Sequence, residues 1–382
     1  MLLQGVRVVE LGQNLAGPFA SLVLADLGAE VIKIERPGKG DDSRGWGPPF
    51  WHGEGSMFHY LNRNKKSLAL DIKDEGDRGR LLELIGTADV FIHNMRPGAA
   101  EGLGLGPDDL SALFPRLVYG NMGAFGRVGP LKDRPGYELL MQAFAGIMSV
   151  TGMPGGPPVR AGTSVNDIGT GMWCAIGVLA ALVGRNRTGK GAVIDTSLLE
   201  TALAWTGISA VAYHASGDEP KPLGVGHPQV KPMGVVPTKT GPMVIAAGND
   251  RLYARLITAF GRPEWVEDPR FIDNAARVAN HVELEAFIDD FTSARTRDEL
   301  VALLQDAGVP CAPLHSIPEA LDHPQTEALG MVQDPPGEHP LRQVGLPISI
   351  DGERPQIRRA APALDADAAE FGPGQIPEQE AS

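Results

Sequence analysis

The chain has 382 residues, room for two or three ordinary domains, with 43% apolar and 21% charged side chains, a balance that excludes global disorder and a membrane-embedded protein. Lys and Arg number 34 against 47 Asp and Glu, a formal charge of −13, which argues against nucleic acid or an anionic membrane surface as partner. Two distant cysteines, Cys174 and Cys311, make neither a disulfide framework nor a metal site. With no leader pattern in MLLQGVRVVELG, a cytoplasmic protein is expected.

Strand-like runs alternate with helical ones through the first half, the order that a parallel sheet with crossover helices requires. Residues 6–11 (VRVVEL) read as a strand, 18–27 as a helix with Pro18 in its first turn, and 31–34 as the next strand. SLALDI (67–72), DVFIH (89–93) and LVYGN (117–121) continue the strands, with helices around 79–85 and 107–113 between them. Past Asp167, an apolar run reads as a buried helix whose longest uninterrupted stretch, 172–183, is too short to span a bilayer. AVIDTS (192–197) follows as a strand and LLETALAWTGISAVAYHA as a helix. The Gly/Pro-rich GDEPKPLGVGHPQVK (217–231) marks a linker or mobile loop. A second αβ unit then begins with a strand near 243–247 and helices near 251–260, 282–292 and 297–307. The small, acidic, Pro-bearing stretch from 361 to 382 reads as a frayed tail.

Three segments carry candidate chemistry. LGQNLAGPFASLVLADLGAEVIKIE has the strand–turn–helix–strand order of a dinucleotide site ending in an acid, Glu35, but its turn offers only Gly12 and Gly17 in place of GxGxxG. NRNKKS (62–67), NMRPG (94–98) and IERPGKG (34–40) put lysine, arginine and asparagine at strand ends, where open α/β sheets bind ligands; they suit a phosphorylated ligand or, singly, a solvated basic turn. The third is Asp167 in SVNDIGTG, directly before the helix. Asp caps helices well, and the helix dipole keeps a carboxylate ionised; the same setting suits a nucleophile, with Gly169 and Gly171 allowing close approach. Spacing alone leaves both readings open. GxSxG, HExxH and CxxC are all missing, so a serine hydrolase and a zinc site are not expected.

Taken in order, AGPFASLVLADLGAEVIKIERPGKGD, LNRNKKSLALD, VFIHNMRPG, GPLKDRPGYELLMQAFAGIMSVTG, NDIGTGMWCAIGVLAAL, MVIAAGNDRLYARL and GVPCAPLHSIPEALDHPQ resemble the class III CoA-transferases. That group includes formyl-CoA and carnitine CoA-transferases and, as a divergent branch, the α-methylacyl-CoA racemases. The resemblance implies an α/β fold: a Rossmann-like parallel-sheet domain over 1–215, a linker at 216–232, a smaller αβ domain at 233–325 and a segment at 326–360 returning to the large domain. It also implies an interlocked homodimer.

By the same resemblance, Asp167 is the catalytic carboxylate, passing through aspartyl anhydrides and an aspartyl-CoA thioester while CoA moves from an acyl-CoA to a free carboxylic acid. No permanently bound cofactor and no metal is implied; the CoA thioester is substrate. Arg36, Lys39, Asn62, Lys65, Asn94 and Arg96 fall where CoA is held, and Leu15, Arg44, Gly136, Gly169, Gly226 and His227 where the acid is shaped. Tyr137 stands where the racemases carry a histidine. A phenol titrates near ~10 and is a poor acid–base partner at neutrality, so transfer is favoured over racemisation, with a racemase or a noncatalytic CoA-binding protein as alternatives. Leu15 replaces a glutamine of the formyl-CoA branch, and that branch's glycine run is reduced to Gly224 and Gly226, which points away from formyl-CoA and oxalate. Gly102 replaces a residue that is basic in many members.

Overall fold

The β-branched runs of the first half assemble into one parallel sheet. In the computed structural model, which describes residues 1–227 and 229–372, its elements are β1 (Arg7–Leu11), α1 (Ala16–Asp26), β2 (Glu30–Glu35), β3 (Lys65–Ala69), α2 (Glu75–Gly86), β4 (Val90–His93), α3 (Pro107–Leu113), β5 (Val118–Gly123), α4 (Glu138–Phe144), α5 (Val165–Thr188), β6 (Val193–Ser197), α6 (Leu198–Trp205) and α7 (Gly207–Ser216). The strands pair in the order β3-β2-β1-β4-β5-β6, every pair parallel. This is the doubly wound Rossmann order, and its reversal between β1 and β4 opens a ligand crevice at their carboxyl ends.

Strand residues alternate between two cores. Val8, Val31, Val90, Ile92 and Val118 pack with Ala20 and Leu24 of α1 and with Cys174 and Val178 of α5. Val9, Ile32, Phe91 and Tyr119 pack on the opposite face with Leu81 and Leu84 of α2 and Leu110 of α3. Because both faces are covered, β1 and β4 are buried at every residue. A Cβ on Gly171 would stand 2.7 Å from the carbonyl oxygen of Ala16, so glycine permits the close crossing of α5 over α1. At 24 residues α5 outruns the 172–183 stretch and is long and apolar enough to cross a membrane. Its face bearing Gly169, Gly171, Cys174, Ala175 and Val178 is nonetheless buried, as in the core helix of a globular unit.

The chain divides into two compact units: Met1–Met148, Arg160–Asp218 and the described residues from Pro324 in one, Ser149–Val159 and Glu219–His323 in the other. The smaller unit pairs β7 (Met233–Val236), β8 (Met243–Ala246) and β9 (Cys311–Pro313) antiparallel in the order β9-β8-β7. Helices α8 (Asp250–Ala259), α9 (His281–Ser293) and α10 (Arg297–Asp306) close its core around Ile245, Leu256, Phe271, Leu284 and Leu300. Residues 149–159, expected in the large domain, group with this unit.

Two expectations change. The helix after β6 breaks into α6 and α7 at Thr206, where Gly207 follows. Residues 361–372 do not fray: Asp365 and Asp367 accept the backbone N–H groups of Ala69 and Ser67 at 2.8 and 2.9 Å, and Phe371 is buried in the core. Composition misled because these acidic side chains supply the hydrogen bonds that the edge strand β3 lacks. Residues 373–382 lie outside the described residues.

Candidate active site

Asp167 lies in the first turn of α5, and its neighbours decide between the two readings of it. The helix has no side-chain cap from Ser164, the N-cap residue. Instead Glu138 of α4 caps it from outside: its Oε2 accepts the N–H groups of both Asn166 and Asp167 at 3.0 Å. Gln142, one turn along α4 and fully buried, donates to Glu138 Oε1 at 2.7 Å, while its own oxygen accepts Ala161 N–H at 2.8 Å. Asp167 is therefore released from capping. Its half-buried carboxylate makes no hydrogen bond among the described residues, and burial, with the Glu138 charge beside it, pushes it up to about 7. A carboxylate with unsatisfied lone pairs and raised basicity is a competent nucleophile. Tyr137, the N-cap residue of α4, is 68% exposed beside this pair.

The crevice between β1 and β4 is lined from both sides. Asn94, after β4, accepts Gln13 N–H at 2.9 Å and donates to Gln13 carbonyl oxygen at 2.8 Å, which pins the turn after β1. That turn leads into α1 through Leu15, which offers no side-chain cap. Along the carboxyl ends of β4, β5 and β6 runs a cleft of about 250 Å³ whose walls include Arg96, Arg127, Lys132 and Ala124. Arg127 is engaged by Asp195 at 3.4 Å, whereas Arg96 and Lys132 have no ion-pair partner among the described residues. At its floor His93 Nδ1 accepts Met95 N–H, which assigns the proton to Nε2, 2.6 Å from the Tyr119 hydroxyl; that hydroxyl donates to Leu105 carbonyl oxygen. Burial and Arg127 push His93 down to about 4. Gly136, beside Tyr137, packs on the cleft wall, since a Cβ there would stand 2.9 Å from Ala124 Cβ.

A nucleophilic carboxylate at a helix start, and in the same unit a cleft at the sheet's carboxyl edge that carries Arg96 and Lys132 free of ion pairs among the described residues, fit chemistry on an anionic activated acyl group. The model of CoA-transferase family III matches residues 3–368. This chain is a class III CoA-transferase. It is 40% identical over 368 residues to acetyl-CoA:oxalate CoA-transferase of Acetobacter aceti, covering 96% of this chain and 93% of that one. It is 36% identical over 356 residues to human succinyl-CoA:glutarate CoA-transferase, covering 93% and 80%. A CAIB/BAIF family protein from Brucella suis has the same fold, with a TM-score of 0.86 at 37% identity over 97% of this chain and 99% of that one.

The transferase brings together some of the residues expected at its site and disperses others. Asp167, Tyr137 and Gly136 share one neighbourhood, Asn94 lies at the crevice and Arg96 at the cleft. Arg36 and Lys39, both after β2, are exposed and hold Asp42 at 2.6 and 3.1 Å. Asn62 and Lys65 are buried completely, bonded to each other at 3.0 Å, and unavailable to CoA. Arg44 is likewise structural: it clamps Glu35 through two bonds of 2.8 and 2.7 Å, donates to Pro362 carbonyl oxygen and lies over the Phe58 ring. A Cβ on Gly169 would meet Trp205 at 2.6 Å, so this glycine serves helix packing and not substrate approach. Gly226 and His227 belong to the smaller unit. Glu138 and Gln142 were missed, since nothing in YELLMQ marks a glutamate as the cap of another helix.

Proposed function

We propose that the enzyme moves CoA from an acyl-CoA to a small dicarboxylic acid by covalent catalysis on Asp167. The observation that carries this is the Asp167 carboxylate freed by Glu138 from capping its own helix. In the first step one Asp167 oxygen attacks the thioester carbonyl, the C–S bond breaks, and CoA leaves as thiolate. The thiolate then attacks the aspartyl carbonyl of the mixed anhydride and expels the donor acid, leaving an aspartyl-CoA thioester. The acceptor carboxylate attacks that thioester, releasing the thiolate and forming a second anhydride. Attack of the thiolate on the acceptor's acyl carbon gives the product and returns Asp167 as a carboxylate. Every intermediate keeps the energy of a thioester or anhydride, so exclusion of water is a condition of the chemistry.

Arg96 and Lys132 supply unpaired positive charge for the phosphates of CoA, and Asn94 and the exposed guanidinium of Arg36 stand at the same sheet edge. Tyr137 offers a hydroxyl to the acyl or carboxylate oxygen. Relatives named for oxalate and glutarate support a dicarboxylate acceptor, and the first of these brings oxalate back despite Leu15 and the shortened glycine run. A homodimer is also proposed. Trp173 and Ile176 of α5 and Ile208 and Val211 of α7 are exposed, Ile208 to 84%, an apolar display of the kind that a subunit interface covers.

The experiment is a screen of isotopically labelled oxalate and glutarate against acetyl-CoA and succinyl-CoA, with hydroxylamine present. Label should enter CoA ester, and an aspartyl hydroxamate should form at Asp167. Exchange that persists in Asp167→Asn would refute the reading.

A further inference from the structure

Four ionisable side chains are buried beneath the turn that joins β1 to α1: Glu10, Lys33 and Lys65 at 0% exposure and Asp41 at 2%. Lys33 Nζ contacts Glu10 Oε1 at 3.0 Å, Asp41 Oδ2 at 2.9 Å and the Gly12 carbonyl oxygen at 2.8 Å. Lys65 Nζ contacts Glu10 Oε2 at 2.8 Å, the Pro18 carbonyl oxygen at 2.9 Å and Asn62 Oδ1 at 3.0 Å. Asp41 Oδ1 accepts Asn14 N–H at 3.1 Å, and Asn14 has a φ of 66°. Two ammoniums and two carboxylates cancel in charge, so the set is neutral as a whole.

A buried ion cluster is a weak way to stabilise a fold, because desolvation offsets most of the Coulomb gain. What this cluster does is hold backbone. The turn directs the carbonyl of Gly12 and the N–H of Asn14 into the protein, where apolar side chains could not satisfy them, and Lys65 reaches the carbonyl of Pro18 in the first turn of α1. With Asn94 holding both backbone polar groups of Gln13, three successive turn residues, Gly12, Gln13 and Asn14, are held from below, as is the start of the helix that the turn enters. It ends at the uncapped start of α1, at the crevice where the sheet order reverses.

We propose that the Glu10–Lys33–Lys65–Asp41 cluster positions the β1–α1 turn for turnover, so that its members are positioning residues for acyl transfer and not only supports of the fold. The proposal rests on the transferase reading and adds to it a device lying beneath the crevice. The ammonium of Lys65 is pushed down to about 8 by burial and by Lys33, against the pull of Glu10 and Asp41. Asn62 and the Ser21 hydroxyl, which donates to Glu10 at 2.6 Å, complete its surroundings.

The test uses the full chain and its Lys65→Met and Lys65→Arg variants. Amide exchange is followed over residues 12–19, affinity is measured for free CoA, and rates are measured with acetyl-CoA and oxalate. In Lys65→Met, exchange in the turn should rise about tenfold while β4 and β5 keep their protection. Turnover should fall by about tenfold to a hundredfold, with affinity for CoA moving by less than about threefold. Lys65→Arg should restore part of the turnover. A lowered melting temperature with unchanged turn exchange and unchanged turnover would overturn the proposal. Should Lys65→Met fail to fold, the unmutated chain decides: turn exchange, relative to the rest of the chain, should rise reversibly between pH 7 and 9 as Lys65 loses its proton, and a flat ratio would overturn it. The exchange measurement needs no substrate, so its result is separate from failure of the transferase reading itself.

Discussion

At the scale of the residue, the state of Asp167 governs both rate and stability. Burial and Glu138 hold its folded pKa at about 7, above the ordinary aspartate value of 3.8, so the native state binds a proton more tightly than the unfolded chain. Stability therefore falls as pH rises from about 4 to 7. The reactive form is the carboxylate, so kcat/KM should rise with pH through about 7 and then level off. Glu138→Gln keeps an oxygen for the two helix N–H groups but removes the charge, and should shift that limb to lower pH in a pH–rate profile. Asp167→Asn should abolish transfer while stabilising the fold by about 1–3 kcal/mol at pH 8. That gain should shrink toward pH 4 in thermal melts run across the range. Asp167 could be singled out in the sequence because a lone acid before an apolar run is conspicuous. Lys65 could not be placed, because NRNKKS looks like a solvated basic turn until β1 supplies Glu10 across the sheet.

At the scale of the element, the sheet could be read strand by strand, since β-branched runs separated by amphipathic helices have few other folds. Its boundaries were less visible. β3 begins at Lys65, two residues before the expected 67, because Asn64 takes a φ of 61° and Lys65 already pairs with Val31. Helix crossings were legible only as a surplus of glycine, and one helix shows that such glycines differ. A Cβ at Gly171 would meet the backbone of Ala16 and Ala20, whereas at Gly184 it would meet nothing within 4 Å. Gly171→Ala should destabilise by about 1–3 kcal/mol through overpacking. Gly184→Ala should stabilise by up to about 1 kcal/mol through helix propensity. Denaturant titration of the two variants gives the signs directly.

At the scale of the whole molecule, a second αβ unit was legible from the Gly/Pro-rich stretch before it, whereas the return of the chain to the large unit was legible only through family resemblance, because contacts between distant segments leave no local pattern. The docking of 361–372 depends on backbone groups of β3 that acidic composition cannot announce. The apolar display of α5 and α7 predicts a dimer. Sedimentation should give twice the chain mass for the unmutated protein, and a smaller species for Ile208→Asp, whose side chain is 84% exposed. A monomer at micromolar concentration would remove the homodimer from the account.

The most direct test of the covalent route follows the acceptor's oxygen. In the proposed sequence the acceptor carboxylate gives one of its two oxygens to the aspartyl group on every productive turnover. Acceptor acid carrying heavy oxygen in its carboxyl groups should therefore leave that isotope in the peptide containing Asp167, read by mass spectrometry after turnover and digestion. Turnover that proceeds with no heavy oxygen in that peptide would contradict a covalent role for Asp167.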